Sequence, residues 1–310
     1  MQIHDLRHTP SRRLEPLFEE ESRYWLEEMH WDYKPSQRLI RRFIDSHSLY
    51  GFAVTVGDDP AGYGFYVVEE GKGLLGGLYV SPRFPDSRIG DRLVAEMATA
   101  IRAAPRVRRI EGQLVPFGND YNPALNAAGF HLYDRQFMTV KLAELTAPAE
   151  PLSPAFRLEN WNDRFFEPCA RLIQLAYANH PDSEINDQYQ SESGALRFLK
   201  NIIILPGCGQ FVSEASFVIR SAIENRIVAM ALNSNVSWGV AHTTQICVMP
   251  GYQRHGLGAK LMRASADALR AMNYHALTLS VTSLNQRAVH LYEKLGFRTI
   301  KMFTAAVWKE

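Results

Sequence analysis

Apolar residues recur along this chain at two spacings. Short runs over 50–56, 61–69 and 72–80 are rich in β-branched and aromatic residues, which is typical of strands. From Arg88 onward, apolar residues return about every fourth position, and this spacing predicts a helix with one apolar face. Helices are also expected over 14–30 and 35–46. The order is irregular, so it favours an α+β fold over a regular βαβ alternation.

A similar order of elements returns in the second half of the chain. Helices are expected near 163–179 and 190–201, and strands near 217–220, 227–232 and 240–248. The helix that follows carries an apolar stripe formed by Leu257, Leu261, Ala268, Leu269 and Met272. Each half is therefore expected to form a mixed, twisted sheet flanked by helices.

The two halves also match at the level of residues. Residues 80–93 align without a gap on 248–261, and Gly129-Phe130 corresponds to Gly296-Phe297. Each copy then ends in a strand-like run, over 131–142 and 298–309. Between the copies, the proline-containing segment 143–155 is typical of a semi-rigid linker. We predict tandem domains over 1–146 and 156–310, joined by a linker over 147–155.

Composition narrows the classes of function. The 310 residues are 46% hydrophobic and 22% charged, a balance that predicts folded domains. A net charge of +1 gives no reason to expect nucleic acid or an anionic membrane as a partner. The three cysteines are far apart and lack C-x-x-C spacing, which predicts neither disulfides nor a metal site and fits a cytoplasmic location. No targeting or membrane-spanning segment is evident.

The turn between strand 240–248 and the next helix has the composition of an anion site. It contains Gln253, Arg254, His255, Gly256, Leu257, Gly258 and Ala259. A helix start offers unpaired N–H groups and a favourable dipole, and glycines allow close approach of a phosphate. A tight turn without a ligand is the plain alternative. A nicotinamide dinucleotide site is disfavoured because Leu261 occupies the third glycine position.

A second motif makes the interpretation more specific. Val248-x-Pro250 and Gln253-x-x-Gly256-x-Gly258 are followed by Asn285-x-x-Ala288-x-x-Leu291-Tyr292-x-x-x-Gly296-Phe297. Together these residues resemble the acetyl-CoA signature of the GCN5-related N-acetyltransferase (GNAT) superfamily. The resemblance implies two tandem GNAT-like domains. It also implies an N-acyltransferase that moves an acetyl or short acyl group from acyl-CoA directly to a primary amine of a small molecule or peptide. The alternative is a non-catalytic CoA-binding or interaction module.

The same resemblance implies roles for individual residues. Backbone groups of Ile246, Cys247 and Val248 would hold the pantetheine arm as an added strand, and Asn285 and Arg287 would contact the cofactor. Tyr292 is expected to be the general acid for the departing thiolate. For the base that deprotonates the amine, His242 and a water relay both stand open. Cys247 is a weaker candidate for a nucleophile, because no base is placed beside it.

The first copy lacks the residues of this chemistry. Pro85 replaces Gln253, Arg88 replaces Gly256, Leu74 replaces His242 and Leu125 replaces Tyr292. We expect a degenerate domain that supports the active copy, shapes its acceptor cleft or mediates homodimer formation. The acceptor itself is not specified, although the loop 180–192, with Asp182, Glu184, Asp187 and Glu192, either attracts a cationic amine or is simply solvated.

Overall fold

The chain folds into two compact units. The computed structural model describes residues 1–85, 88–146, 151–205 and 207–310. The first unit comprises Met1–Arg135 and Lys301–Glu310, and the second comprises Gln136–Ile300. Residues 147–150 of the expected linker lie outside the described residues. None of the helices in the described ranges has the length and apolar character that crossing a membrane requires.

The elements that precede residue 128 all belong to the first unit. They are β1 (Gln2–Asp5), α1 (Glu15–Met29), α2 (Lys34–Asp45), β2 (Tyr50–Val56), β3 (Asp59–Glu69), β4 (Lys72–Val80), α3 (Arg88–Ala103), β5 (Arg109–Gln113) and α4 (Asn122–Ala127). The predicted apolar stripe of α3 is buried at Ile89, Leu93, Met97 and Ile101, which are all at most 1% exposed.

Thirteen further elements follow along the described part of the chain. They are β6 (His131–Lys141), β7 (Phe156–Asn160), α5 (Phe166–Ala176), α6 (Pro181–Ile185), α7 (Glu192–Ile204), β8 (Gln210–Phe211), β9 (Phe217–Ser221), β10 (Ile227–Ser237), β11 (Val240–Val248), α8 (Leu257–Ala271), β12 (Ala276–Thr282), α9 (Gln286–Lys294) and β13 (Arg298–Lys309). Helix α8 buries Leu257, Leu261 and Leu269, whereas Met272 lies just beyond its last residue and is 40% exposed. Met272 is therefore not part of the buried stripe.

Each unit contains a mixed sheet, which confirms the predicted fold class. In the first unit the strand order is β1-β2-β3-β4-β5-β13, with β4 and β5 parallel and the other neighbours antiparallel. In the second the order is β6-β12-β11-β10-β9-β7, and β11 and β12 form a parallel pair.

The closing strands alter the domain division expected from the repeat. Residues Ala305–Lys309 of β13 pair with Arg109–Gln113 of β5, so the end of the chain belongs to the first unit. Residues 136–141 of β6 lie beside β12 in the second unit. A boundary near residue 146 therefore does not separate the two compact units, because sequence alternation predicts a strand but does not specify its partner.

Candidate functional site

The central strands of the second unit separate partway along their length. Parallel pairing of β11 with β12 runs from Val240 opposite Ala276 to Thr243 opposite Leu279, although both strands continue beyond those residues. On the other side of β11, the antiparallel pairing with β10 reaches Val248. Within the described residues, Gln245–Val248 therefore keep a ladder with β10 on one edge and are not paired with β12 on the other.

A β-bulge lies where the separation begins. Leu232 is opposite Gln245, but the next residue of β10, Asn233, is opposite Thr243, so Thr244 is an extra residue on β11. A bulge bends its strand and interrupts the alternation of side chains. Regular strand alternation would place His242, Thr244, Ile246 and Val248 on one face, and that alternation does not hold across Thr244.

A cavity of about 810 Å³ opens along the unpaired edge of β11; we call it the β11 cavity. Its wall includes all but two of the residues predicted from sequence to form the site: Ile246, Cys247, Val248, Gln253, Arg254, Gly256, Leu257, Gly258, Ala259, Asn285, Arg287 and Tyr292. The structure thus brings together two motifs that are about thirty residues apart in the chain.

The glycine turn forms the floor of one end of this cavity. Gly256 has φ of 72°, in the left-handed region, and is the N-cap of α8 without a side-chain cap. The helical ladder begins with the Lys260 N–H, which donates to the Gly256 carbonyl at 3.1 Å. The N–H groups of Leu257, Gly258 and Ala259 precede that bond, so they are the donors that a helix start leaves for an anion.

Two guanidinium groups lie at the same end. Arg254 and Arg287 are both exposed and both line the β11 cavity. Arg287 Nη1 donates to Gln253 Oε1 at 2.6 Å, and Gln253 Nε2 donates to the Val248 carbonyl at 3.3 Å. Gln253 thus links the Arg287 side chain to the end of β11. Arg263, one turn further along α8, pairs with Asp267 at 2.6 Å.

The other end of the cavity is aromatic and buried. Tyr292, on α9, is 6% exposed, and burial raises its pKa, with smaller contributions from Asp182 and Cys247. Its hydroxyl is therefore protonated at neutral pH. Burial also raises the pKa of the Cys247 thiol, which disfavours the thiolate that a nucleophile requires.

Asn285 has a local structural role as well as a place in the cavity wall. It is the N-cap of α9, where its Oδ1 accepts a hydrogen bond from the Ala288 N–H at 3.2 Å. Its position in the motif is thus explained in part by capping.

The two predicted residues outside the cavity wall are histidines. His255 is exposed, and its Nδ1 lies 3.0 Å from the Gln253 carbonyl oxygen. His242 is 8% exposed on β11, beside Thr278 of β12 and Phe137 of β6.

Sequence reasoning missed several residues of the cavity wall. Tyr177, at the end of α5, donates from its hydroxyl to the Ile246 carbonyl at 3.2 Å, and its ring stacks on Tyr189. His180 and Pro181 also line the cavity, whereas the acidic residues of the loop 180–192 do not. Asp182 accepts a hydrogen bond from the Thr282 hydroxyl, which ties this loop to β12. No motif marks these residues, because their placement depends on how α5 packs against the sheet.

The corresponding turn of the first unit is occupied by side chains. A Cβ at Gly90, the counterpart of Gly258, would lie 2.1 Å from the Tyr121 ring. The cavity beside it, of about 420 Å³, is walled by aromatic residues that include Tyr79, Phe117 and Tyr121. Asp86 and Ser87 of this turn lie outside the described residues. The aromatic ring thus covers the position where the second unit exposes a glycine.

Comparison with known proteins shows which family the second unit resembles. Residues 170–297 match the model of the acetyltransferase (GNAT) family. The second unit carries a GNAT domain. The motif resemblance is thereby confirmed, and the tandem arrangement also has a structural counterpart. A tandem GNAT protein from the clavulanic acid biosynthesis pathway has a TM-score of 0.61 at 15% identity, over 84% of this chain and 82% of that one. At that identity the likeness shows the fold alone.

Curated relatives match only part of the chain. An N-alpha-acetyltransferase of Sulfurisphaera tokodaii is 28% identical over 102 residues, which are 29% of this chain and 60% of that protein. A streptothricin acetyltransferase of Streptomyces lavendulae is 33% identical over 90 residues, which are 29% of this chain and 47% of that protein. The chain thus spans about half the length of these relatives. Each similarity covers about as many residues as a single domain. Neither specifies the amine acceptor of this chain.

Proposed function

We propose that this chain is an N-acyltransferase that moves an acetyl or short acyl group from acyl-CoA to a primary amine of a small molecule or peptide. The observation that carries the proposal is the β11 cavity, where the unpaired edge of β11 meets the glycine turn at one end and buried Tyr292 at the other. The match to the GNAT family indicates acyl transfer as the class of reaction, and we place that reaction in the β11 cavity.

The donor set of the cavity fits acyl-CoA. Free N–H groups at the start of α8, with Arg254 and Arg287, suit a pyrophosphate. The unpaired edge of β11 offers backbone groups to the amides of a pantetheine arm, as an edge strand does for an added strand. When bound, acyl-CoA supplies the acyl group as an activated thioester.

Tyr292 is suited to the leaving-group side of the reaction. Its hydroxyl stays protonated because burial raises its pKa, so it can donate a hydrogen bond to negative charge that develops on a sulfur. A thiol ordinarily has a pKa near 8.5, which is below that of this buried phenol, so the hydroxyl stabilises the departing thiolate by donating a hydrogen bond to it and full transfer of its proton is uphill.

The amine must lose a proton before or during the attack. We assign this role to His242, which acts directly or through water, because an imidazole titrates near neutral pH and this one lies on β11 next to the point where the strands separate. Direct transfer is favoured over an acyl-cysteine because the Cys247 thiol is buried and its pKa is raised.

Two observations bear on the class of the acceptor. The two matched relatives are named an N-alpha-acetyltransferase and a streptothricin acetyltransferase, so their names point to amine acceptors of different kinds. In this chain, His180 and Pro181 border the β11 cavity. We therefore place the amine acceptor on the side of the cavity that is bordered by the loop 180–192.

Thiol release from acetyl-CoA, measured over a panel of amines and peptides, tests the proposal. We expect amine-dependent release that falls by roughly 10²–10⁴ in Tyr292→Phe with little change in acetyl-CoA affinity. Tyr274→Phe removes a hydroxyl from a tyrosine of the same unit outside the β11 cavity and is expected to leave turnover unchanged. Calorimetry accompanies the assay: binding without release across the panel would favour a non-catalytic CoA-binding module, and absence of binding at millimolar acetyl-CoA would refute both.

A further inference from the structure

The imidazole of His242 is held from two sides. Its Nδ1 lies 2.9 Å from the Thr278 hydroxyl, and its ring stacks on Phe137 with centroids 5.5 Å apart and planes 24° apart. His242, Thr278 and Phe137 are each at most 8% exposed. A buried histidine that has one contact at the edge of its ring and another on the face of its ring has little freedom to rotate.

The contact with Thr278 determines which ring nitrogen is basic. A threonine hydroxyl has one proton, and Thr278 donates it to the Ala241 carbonyl at 3.1 Å. Towards His242 the same oxygen must then accept, so Nδ1 carries the proton. In the neutral imidazole the lone pair therefore lies on Nε2, which is the nitrogen that can take a proton from an amine or a water.

The stacked ring comes from an unexpected part of the chain. Phe137 lies on β6, the strand that closes the first copy in the sequence repeat, yet it packs within the second unit. Its neighbour Gln136 fixes the strand there: Gln136 Oε1 accepts from the Thr299 hydroxyl at 2.7 Å, and Nε2 donates to the Ser283 hydroxyl at 3.4 Å. Phe137 is 2% exposed.

We propose that Thr278 and Phe137 are positioning residues for His242, and that the closing strand of the first copy thereby completes the acyl-transfer site of the second unit. This inference rests on the proposed function, in which His242 takes a proton from the amine. One proton moves from the ammonium or amine nitrogen of the acceptor to Nε2, directly or through one water. Nδ1–H remains bonded to Thr278 throughout, and the imidazolium later releases the proton to solvent.

The tautomer can be measured without turnover. In the full-length protein with ¹⁵N-labelled histidine, His242→Gln assigns the ring signals of His242. We expect a protonated Nδ1 and an unprotonated Nε2 in the neutral state of the wild type and of Thr278→Ser. In Thr278→Val, which keeps the shape but loses the acceptor, we expect a mixture of the two tautomers. A wild-type spectrum with the proton on Nε2 would overturn the assignment.

Kinetics test the positioning roles. Thr278→Val is expected to lower kcat by about tenfold or more while KM for acetyl-CoA stays within about twofold, and Thr278→Ser is expected to recover most of the loss. Phe137→Leu is expected to lower kcat by about threefold to tenfold, because the ring is less firmly placed. Phe217→Leu, in another strand of the same unit, controls for a general loss of packing and is expected to keep wild-type kcat.

The outcomes separate this inference from the proposed function. If the wild type shows no acyl transfer, the proposed function fails. If the wild type transfers acyl groups but Thr278→Val matches Thr278→Ser, Thr278 has no positioning role. If Phe137→Leu and Phe217→Leu lose activity equally, or neither loses any, the first copy's closing strand makes no specific contribution to the site.

Discussion

Substitution of single glycines at the start of α8 separates the effect of backbone strain on stability from the effect of an added methyl group on ligand binding. Gly256 and Gly258 both line the β11 cavity, but only Gly256 has a left-handed φ, of 72°. A Cβ at Gly256 would meet no atom within 4 Å, so Gly256→Ala adds no clash with the protein. The left-handed conformation costs an alanine roughly 1–2 kcal/mol, and we expect the unfolding free energy of the second unit to fall by about that amount.

Gly258→Ala should behave differently. The new methyl group would lie 3.2 Å from Leu291 Cδ2, the end of a flexible side chain, and alanine gains about 1 kcal/mol over glycine inside a helix. We therefore expect Gly258→Ala to leave stability within about 1 kcal/mol of the wild type. Both substitutions place a methyl group beside the proposed phosphate site and are expected to weaken acetyl-CoA binding.

Calorimetric unfolding and acetyl-CoA titration measure the two effects on the same samples. Gly251→Ala is the matched control, because a Cβ there also meets nothing within 4 Å and Gly251 has no positive φ. It is expected to change neither quantity. Wild-type acetyl-CoA affinity in Gly256→Ala, or a larger stability loss in Gly258→Ala than in Gly256→Ala, would refute the reasoning.

Three further predictions concern charge, pH and stoichiometry. Arg287→Ala is expected to weaken acetyl-CoA binding about tenfold at low salt, with a smaller effect at high salt, because it removes a cation that Gln253 holds at the phosphate end; equal losses at both salt concentrations would contradict this. Burial raises the pKa of Glu21 to about 7, so the stability of the first unit should fall as pH rises from about 4.5 to 7. Glu21→Gln should remove this fall and gain up to about 3 kcal/mol at neutral pH; parallel stability curves would contradict it. Calorimetry should give one acetyl-CoA per chain, because Tyr121 covers Gly90 in the first unit; a second equivalent would refute that interpretation.

Local sequence pattern predicted the elements that form the site. The bounds of β11 agree with the predicted strand over 240–248, and β2 and β4 likewise agree with theirs. The glycine turn and the motif from Asn285 to Phe297 also predicted which segments would meet at one cavity. These features depend on residues close together in the chain, namely an alternating strand, a glycine with positive φ and a helix cap.

Features that depend on distant partners were not predictable in the same way. Nothing in the alternation of β13 specifies that it pairs with β5, and the short strand β7 was missed altogether. The bulge at Thr244 arises from the register of β10 against β11, which a single strand does not encode. For the same reason, the packing of Phe137 against His242 could not be anticipated from either segment alone.

A crystal structure of the protein with CoA tests the central claim most directly. We expect the pyrophosphate within hydrogen-bonding distance of the N–H groups at the start of α8, the pantetheine along the unpaired edge of β11, and the thiol beside Tyr292. CoA bound in the first unit, or bound in the second unit away from the β11 cavity, would contradict it.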